Sequence, residues 1–191
     1  LPQLSRDDLP DYEERLAEAC ARLAESGELD VEALRPYPSI LFGLETALAH
    51  FHAGSLAFHD TPFSRGEVGI PINGLIWMGD YQMMLEQIER KIETGFRCVK
   101  LKIGAIRFEE ELALLRHIRA KLPAGKVELR VDANGAFTPA EAMEKLQRLA
   151  ELEIHSIEQP IRAGQWEEMA RLAAASPLPI ALDEELIGHD T

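Results

Sequence analysis

From residue 70 onward the chain alternates short apolar runs with amphipathic stretches, and this alternation limits the possible folds more than any other feature. The runs at residues 70–77, 98–103, 127–133, 156–159 and 180–183 have strand length. Between them lie segments with helix start and stop signals. Asp80 is placed as an N-cap with Gly95 as the stop, Pro123 closes the next helix, and Thr138-Pro139-Ala140-Glu141 is a capping box with proline at the first helical position. Strands joined through helices return in the same direction, so repeated βα units predict a parallel sheet. Five such units fit either a doubly wound open sheet or most of a TIM-type barrel.

The strand contents separate the two. Val99, Leu101 and Ile103 alternate with Cys98, Lys100 and Lys102, and Leu129, Val131 and Ala133 alternate with Glu128, Arg130, Asp132 and Asn134. Ile157 sits between Ser156 and Glu158, and Leu182 between Ala181 and Asp183. Successive side chains of a strand point to opposite faces, so the apolar sets are expected to pack on the helices and the polar sets to face an interior. An open sheet covered on both faces carries continuous apolar runs instead. The pattern favours a partial (β/α) barrel of about five units.

Before residue 70 the chain reads as helices only. One is expected over residues 11–26 with Gly27 as its stop, and another from Pro38 to near Gly54. A turn-rich linker at residues 61–66 follows, giving an expected boundary between residues 1–69 and 70–191. Here composition matters. Apolar residues make up 46% and charged residues 28%, as in an ordinary globular chain. A net charge of −13 argues against nucleic acid as a partner. No apolar run is long enough for a bilayer and no export signal opens the chain, so a cytoplasmic setting with no membrane partner is expected. Cys20 and Cys98 are too few for a disulfide framework or a thiolate zinc site.

The charged strand residues collect at one end. Lys102, Asp132, Glu158 and Asp183 fall at or near the C-terminal ends of their strands, where barrel sites are built. Any single acid there reads most simply as a solvated loop residue. Three on adjacent strands, spaced about 25 residues apart, would repel one another unless a cation lay between them. A hard divalent ion with open positions, such as Mg²⁺, suits that donor set. A lone K-x-K usually marks a solvated strand edge, but Lys100 and Lys102 lie in an inner strand beside the acids. Two neighbouring ammonium groups disfavour each other's protonation, which prepares one of them as a general base.

Val99-Lys100-Leu101-Lys102-Ile103-Gly104, Arg130-Val131-Asp132-Ala133-Asn134, Ile157-Glu158-Gln159-Pro160 and Leu182-Asp183-Glu184 together resemble the enolase superfamily, in its muconate-lactonizing-enzyme-like branch. The resemblance implies a Mg²⁺ cofactor held by Asp132, Glu158 and Asp183. It implies Lys102 as the acid/base lysine, Lys100 as its pKa-lowering neighbour and Asn134 as a supporting hydrogen-bond partner. Enolase-type sites pairing a lysine base with magnesium are a recognised pattern. Residues 71–79 resemble the first barrel strand of the o-succinylbenzoate synthases, and residues 38–47 resemble the same group's capping-domain helix. That implies a Mg-dependent dehydration of a small-molecule carboxylate in menaquinone biosynthesis.

By the same resemblance, residues 1–69 are the helical remainder of a capping domain and residues 70–191 the first five units of a barrel. The substrate-covering loop and a second lysine then lie outside the chain, and this chain alone is expected to have little activity. Racemase, dipeptide epimerase and cycloisomerase relatives would use the same ligands and lysines. A half that folds only with a partner chain, or as a homo-oligomer, is the reading from another class. Trp77 is expected either at the substrate or in the core. Arg130 is expected to pair with an interior acid, Trp166 to pack its helix, and His50, His52, His59, His117 and His155 to be structural or surface groups.

Overall fold

The computed structural model describes residues 7–187, and the chain divides into two compact units, Leu1–Ile70 and Pro71–Thr191. The first unit holds α1 (Tyr12–Ser26), α2 (Val31–Leu34) and α3 (Pro38–Ala53). Gly27 ends α1 in the left-handed region at φ +72°, returning its N–H to the Leu23 carbonyl. Pro38 occupies the first turn of α3, where a missing N–H is harmless. The one-turn α2 carries no readable period, yet Asp30 caps it by accepting from the Ala33 N–H at 3.1 Å. Ala19, Leu34, Tyr37 and Ile40 form this unit's small core. Asp7 is buried there, accepting from the Ser39 N–H at 2.8 Å and from the Ser39 hydroxyl.

The second unit is the α/β part: β1 (Gly74–Ile76), α4 (Tyr81–Thr94), β2 (Cys98–Lys102), α5 (Phe108–Lys121), β3 (Glu128–Asp132), α6 (Pro139–Ala150), β4 (Ser156–Glu158), α7 (Trp166–Ala175) and β5 (Ile180–Ala181). A 3-10 turn at Glu184–Leu186 follows. All neighbouring strands run parallel in the order β1-β2-β3-β4-β5, so spatial order repeats chain order. This is the strand arrangement of a partial (β/α) barrel.

Burial follows the two-residue period. Leu101, Leu129, Val131 and Ile157 are fully buried, whereas Lys100, Lys102 and Glu158 on the opposite face are half-buried. The apolar face meets helical stripes at three- and four-residue spacing: Met84 and Ile88, Leu112, Leu115 and Ile118, Ala142, Leu146 and Leu149. Burying each such side chain contributes roughly 1.5–3 kcal/mol.

All five strands are shorter than the sequence predicts, and the first and last differ for identifiable reasons. Gly74 pairs with Val99 and β2 begins at Cys98, so residues 70–72 have no neighbour to bond. Ile70 and Ile72 are accordingly exposed. The last strand stops at Ala181 because Asp183, at φ −131° and ψ −80°, turns the chain into the 3-10 helix. Leu182, expected on the helices, is more than a third exposed at this edge.

Two contacts fix the loops around the sheet. Arg119 donates to three carbonyls, Leu152 at 2.8 Å, Val127 at 2.7 Å and Glu153 at 2.6 Å, tying the entries to β3 and β4. After β2 the chain turns at Gly104, φ +94°, where a Cβ would overlap the Cβ of Ala136 in the loop after β3. The buried Glu111 of α5 accepts from the Gly104 N–H at 2.5 Å and, more weakly, from Ile106 at 3.4 Å.

Candidate active site

Strand register sets three of the charged residues in one row. Lys102 pairs with Asp132 across β2–β3, and Asp132 with Glu158 across β3–β4. Adjacent strands lie about 4.8 Å apart, so side chains of one row on one face must meet. They do. Lys102 Nζ lies 2.9 Å from Asp132 Oδ2, and Lys100, one step below, bridges Asp132 Oδ2 at 3.2 Å and Glu158 Oε2 at 2.7 Å. Asp132 is fully buried and the lysine side chains are 12% and 19% exposed, so these pairs are largely shielded from solvent.

Burial alone would raise the Asp132 pKa. Hydrogen bonds from Lys102, the Asn134 N–H and Lys100 outweigh it and hold the carboxyl below its ordinary range. For Lys100, burial pulls the ammonium down, but hydrogen bonds to Glu158 and Asp132 leave its pKa above the usual lysine value.

Asn134 extends the cluster. Its Oδ1 accepts from Lys102 Nζ at 2.8 Å, and its Nδ2 donates to Glu184 Oε1 at 2.8 Å. The other Glu184 oxygen, Oε2, is buried with no hydrogen-bond partner, although Glu184 was not singled out from the sequence. The available signal was its place in the Leu182-Asp183-Glu184 motif at a strand end, where barrel sites are built. Trp77 is 55% exposed, not core, and Lys102 Nζ stands over its ring 5.1 Å from the centroid.

Asp183 stands apart from the others. The row partner of Glu158 on β5 is Ala181, so Asp183 lies two residues farther along, past the strand, and is exposed. Among the described residues no three acidic, histidine or cysteine side chains are close enough as placed to form a ready metal cage. The donor chemistry nevertheless suits a hard cation. Two carboxylates already converge on the Lys100 ammonium, and the orphaned Glu184 oxygen adds negative charge near by.

The opposite end of the same face is a closed ion-pair group. Arg130 donates to Glu128 at 2.6 Å, but both side chains are partly exposed, so its partner is not the interior acid expected; His155 and Cys98 also face Glu128. His117 bonds Glu89 at 2.6 Å on the surface. Trp166 is about half exposed. One groove in the first unit is lined by Arg15, Arg22 and Asp30, whose charges are already paired with one another or with neighbouring acids.

Residues 83–191 match the family model described as enolase C-terminal domain-like. The chain is 55% identical over 153 residues to an o-succinylbenzoate synthase from Desulfotalea psychrophila, covering 80% of this chain and 42% of that protein. It is 33% identical over 168 residues to an o-succinylbenzoate synthase from Thermosynechococcus vestitus, covering 84% and 48%. Among solved structures, MenC from Desulfotalea psychrophila LSv54 superposes with a TM-score of 0.61 at 41% identity, over 93% of this chain and 54% of that one. Muconate cycloisomerase from Pseudomonas fluorescens gives 0.54 at 32%, over 61% and 32%. The chain thus spans about half the length of the relatives it matches.

Proposed function

The chain belongs to the enolase C-terminal domain-like family, and from that premise we propose that it supplies the metal-binding, proton-abstracting wall of an o-succinylbenzoate synthase. The reaction is the dehydration of a succinyl-hydroxycyclohexadiene carboxylate to o-succinylbenzoate in menaquinone biosynthesis. The observation that carries this reading is the single row of Lys102, Asp132 and Glu158, with Lys100 bridging both acids from below. The o-succinylbenzoate synthases among the relatives support the substrate class.

Asp132, Glu158 and Asp183 would hold Mg²⁺, with the substrate carboxylate completing its oxygen ligands. A bound Mg²⁺ supplies Lewis-acid stabilisation of the charge that builds on that carboxylate. Lys100, held by Asp132 and Glu158, would stand beside Lys102 as its companion cation. Lys102, as the neutral amine, removes the proton next to the carboxylate. Asn134 fixes the direction of its Nζ, and the Trp77 ring shields it on one side. Lys102 then returns the proton to the departing hydroxyl, so that water leaves and the ring becomes aromatic.

The first unit is assigned to the helical part of an enolase-type capping domain. A homo-oligomer and a cytoplasmic setting complete the reading. Among the described residues no helix is long and apolar enough to cross a membrane. The test is turnover of the cyclohexadiene carboxylate by the full-length protein, followed as o-succinylbenzoate formation. Activity lost with a chelator and regained with Mg²⁺ is expected. Epimerisation of dipeptides without dehydration would move the protein to another branch of the family.

A further inference from the structure

Gln159 directly follows β4 and is fully buried, with a left-handed backbone at φ +39°. A primary amide has two donors and can accept two hydrogen bonds at its oxygen. Here all four are used. Oε1 accepts from the N–H of Asp183 at 3.1 Å and of Glu185 at 3.2 Å. Nε2 donates to the Ile161 carbonyl at 3.0 Å and to Glu185 Oε2 at 3.0 Å. The Gln159 main chain adds two more links, donating to the Ala181 carbonyl at 2.9 Å and accepting from the Gly135 N–H at 2.7 Å. Glu185, itself buried, uses its other oxygen to accept from the Gly164 N–H at 2.7 Å.

One side chain therefore ties together the loops after β4 and β5, and its main chain reaches the loop after β3. Asp183 has already left β5, so no ladder bond holds it in the row of Glu158. The bond from its N–H to Gln159, the residue next to Glu158, is what relates the two acids. We propose that Gln159 is a positioning residue that sets where Asp183 stands relative to Glu158, an inference that rests on the metal half-site proposed above. A carboxylate at this position could still accept both N–H groups. It would lose both donors and face the Glu185 carboxylate directly.

The test compares the full-length wild type, Gln159→Glu and the exchange Gln159→Glu/Glu185→Gln. In the exchange the new amide donates to the new carboxylate and still accepts from Gly164, while the bond to the Ile161 carbonyl is lost and that carbonyl faces a carboxylate oxygen. Mn²⁺ serves as the probe, with free ion measured by electron paramagnetic resonance. Hydrogen exchange of the Asp183 and Glu185 amides is read on metal-free protein, and thermal melting reports folding. Gln159→Glu is expected to weaken Mn²⁺ binding about 10–100-fold, as loss of a group supporting a metal ligand does. It should also speed exchange at Asp183, and the exchange variant should restore both. If the single variant does not fold, the folded exchange variant carries the test: near-wild-type affinity and protection support the inference, and loss of either overturns it. An unprotected Asp183 amide in wild type, or unchanged Mn²⁺ affinity in folded Gln159→Glu, overturns it while leaving the metal reading intact. A wild type that binds no Mn²⁺ despite a protected Asp183 amide overturns the metal reading itself, and this inference with it.

Discussion

Lys102 and Asp132 are register partners on adjacent parallel strands, and the lysine ammonium lies 2.9 Å from an oxygen of that fully buried carboxylate. The strand ladder itself aims the base at the acid. Lys102→Ala is expected to reduce the proposed dehydration by about 10²–10⁴-fold, the usual scale of a positioned acid/base group. Lys102→Arg keeps the positive charge beside Asp132 but cannot give up its proton, so it should fail similarly. Steady-state turnover, together with exchange of the substrate's α-proton for solvent deuterium, checks both. Wild-type exchange in the arginine variant would remove Lys102 from its role.

Gly104 combines a positive φ with a Cβ position already occupied by Ala136. Gly104→Ala should therefore destabilise the second unit by about 1–3 kcal/mol, the range for overpacking. Gly125, with open space around it, is the control. Urea midpoints should fall for the first substitution and hardly move for the second; equal midpoints would discount the contact.

Burial pushes the Glu111 carboxyl above its ordinary 4.5, against the pull of the Gly104, Ile106 and Ala105 N–H groups. Its folded form thus holds a proton more tightly than its unfolded form. The stability it contributes is complete below the unfolded value and declines as pH rises through the raised folded value. Glu111→Gln keeps an oxygen for the Gly104 N–H and does not titrate. Its stability relative to wild type should increase from about pH 4 to about pH 8. Parallel urea curves across that range would refute the assignment.

Arg119 holds three carbonyls with one planar group. Lysine presents a single ammonium that cannot span them, so Arg119→Lys is expected to cost roughly 1.5–3 kcal/mol. The loss should be accompanied by faster amide exchange around residues 152–156. Unaltered unfolding would mean that water replaces these bonds without penalty.

Much of this was legible because two periods were written in the chain. The alternation Val99-Lys100-Leu101-Lys102 assigned faces before any contact was known, and Asp80, Gly95 and Thr138 marked helix ends that the structure keeps within a residue. The short α2 escaped notice, since four residues carry no period. Ile70 and Ile72 misled for a different reason: strand propensity is local, whereas pairing needs a neighbour, and β2 starts too late to provide one. At the site, Lys102, Asp132 and Glu158 meet as their spacing implied, and Asp183 stands one step away. The roles of Gln159 and Glu184 depend on where loops return in space, which no local pattern encodes.

Because the strands stand in space in the order of the chain, each new strand can add to the one made just before it. Synthesis proceeds at roughly 5–20 residues per second. The lysine strand would emerge just after β1, and the acids of β3, of β4 and beyond β5 would follow at intervals of a few seconds, each meeting a template already laid down. The counter-charges that Asp132 and Glu158 meet, Lys100 and Lys102, are thus on the strand made before either acid.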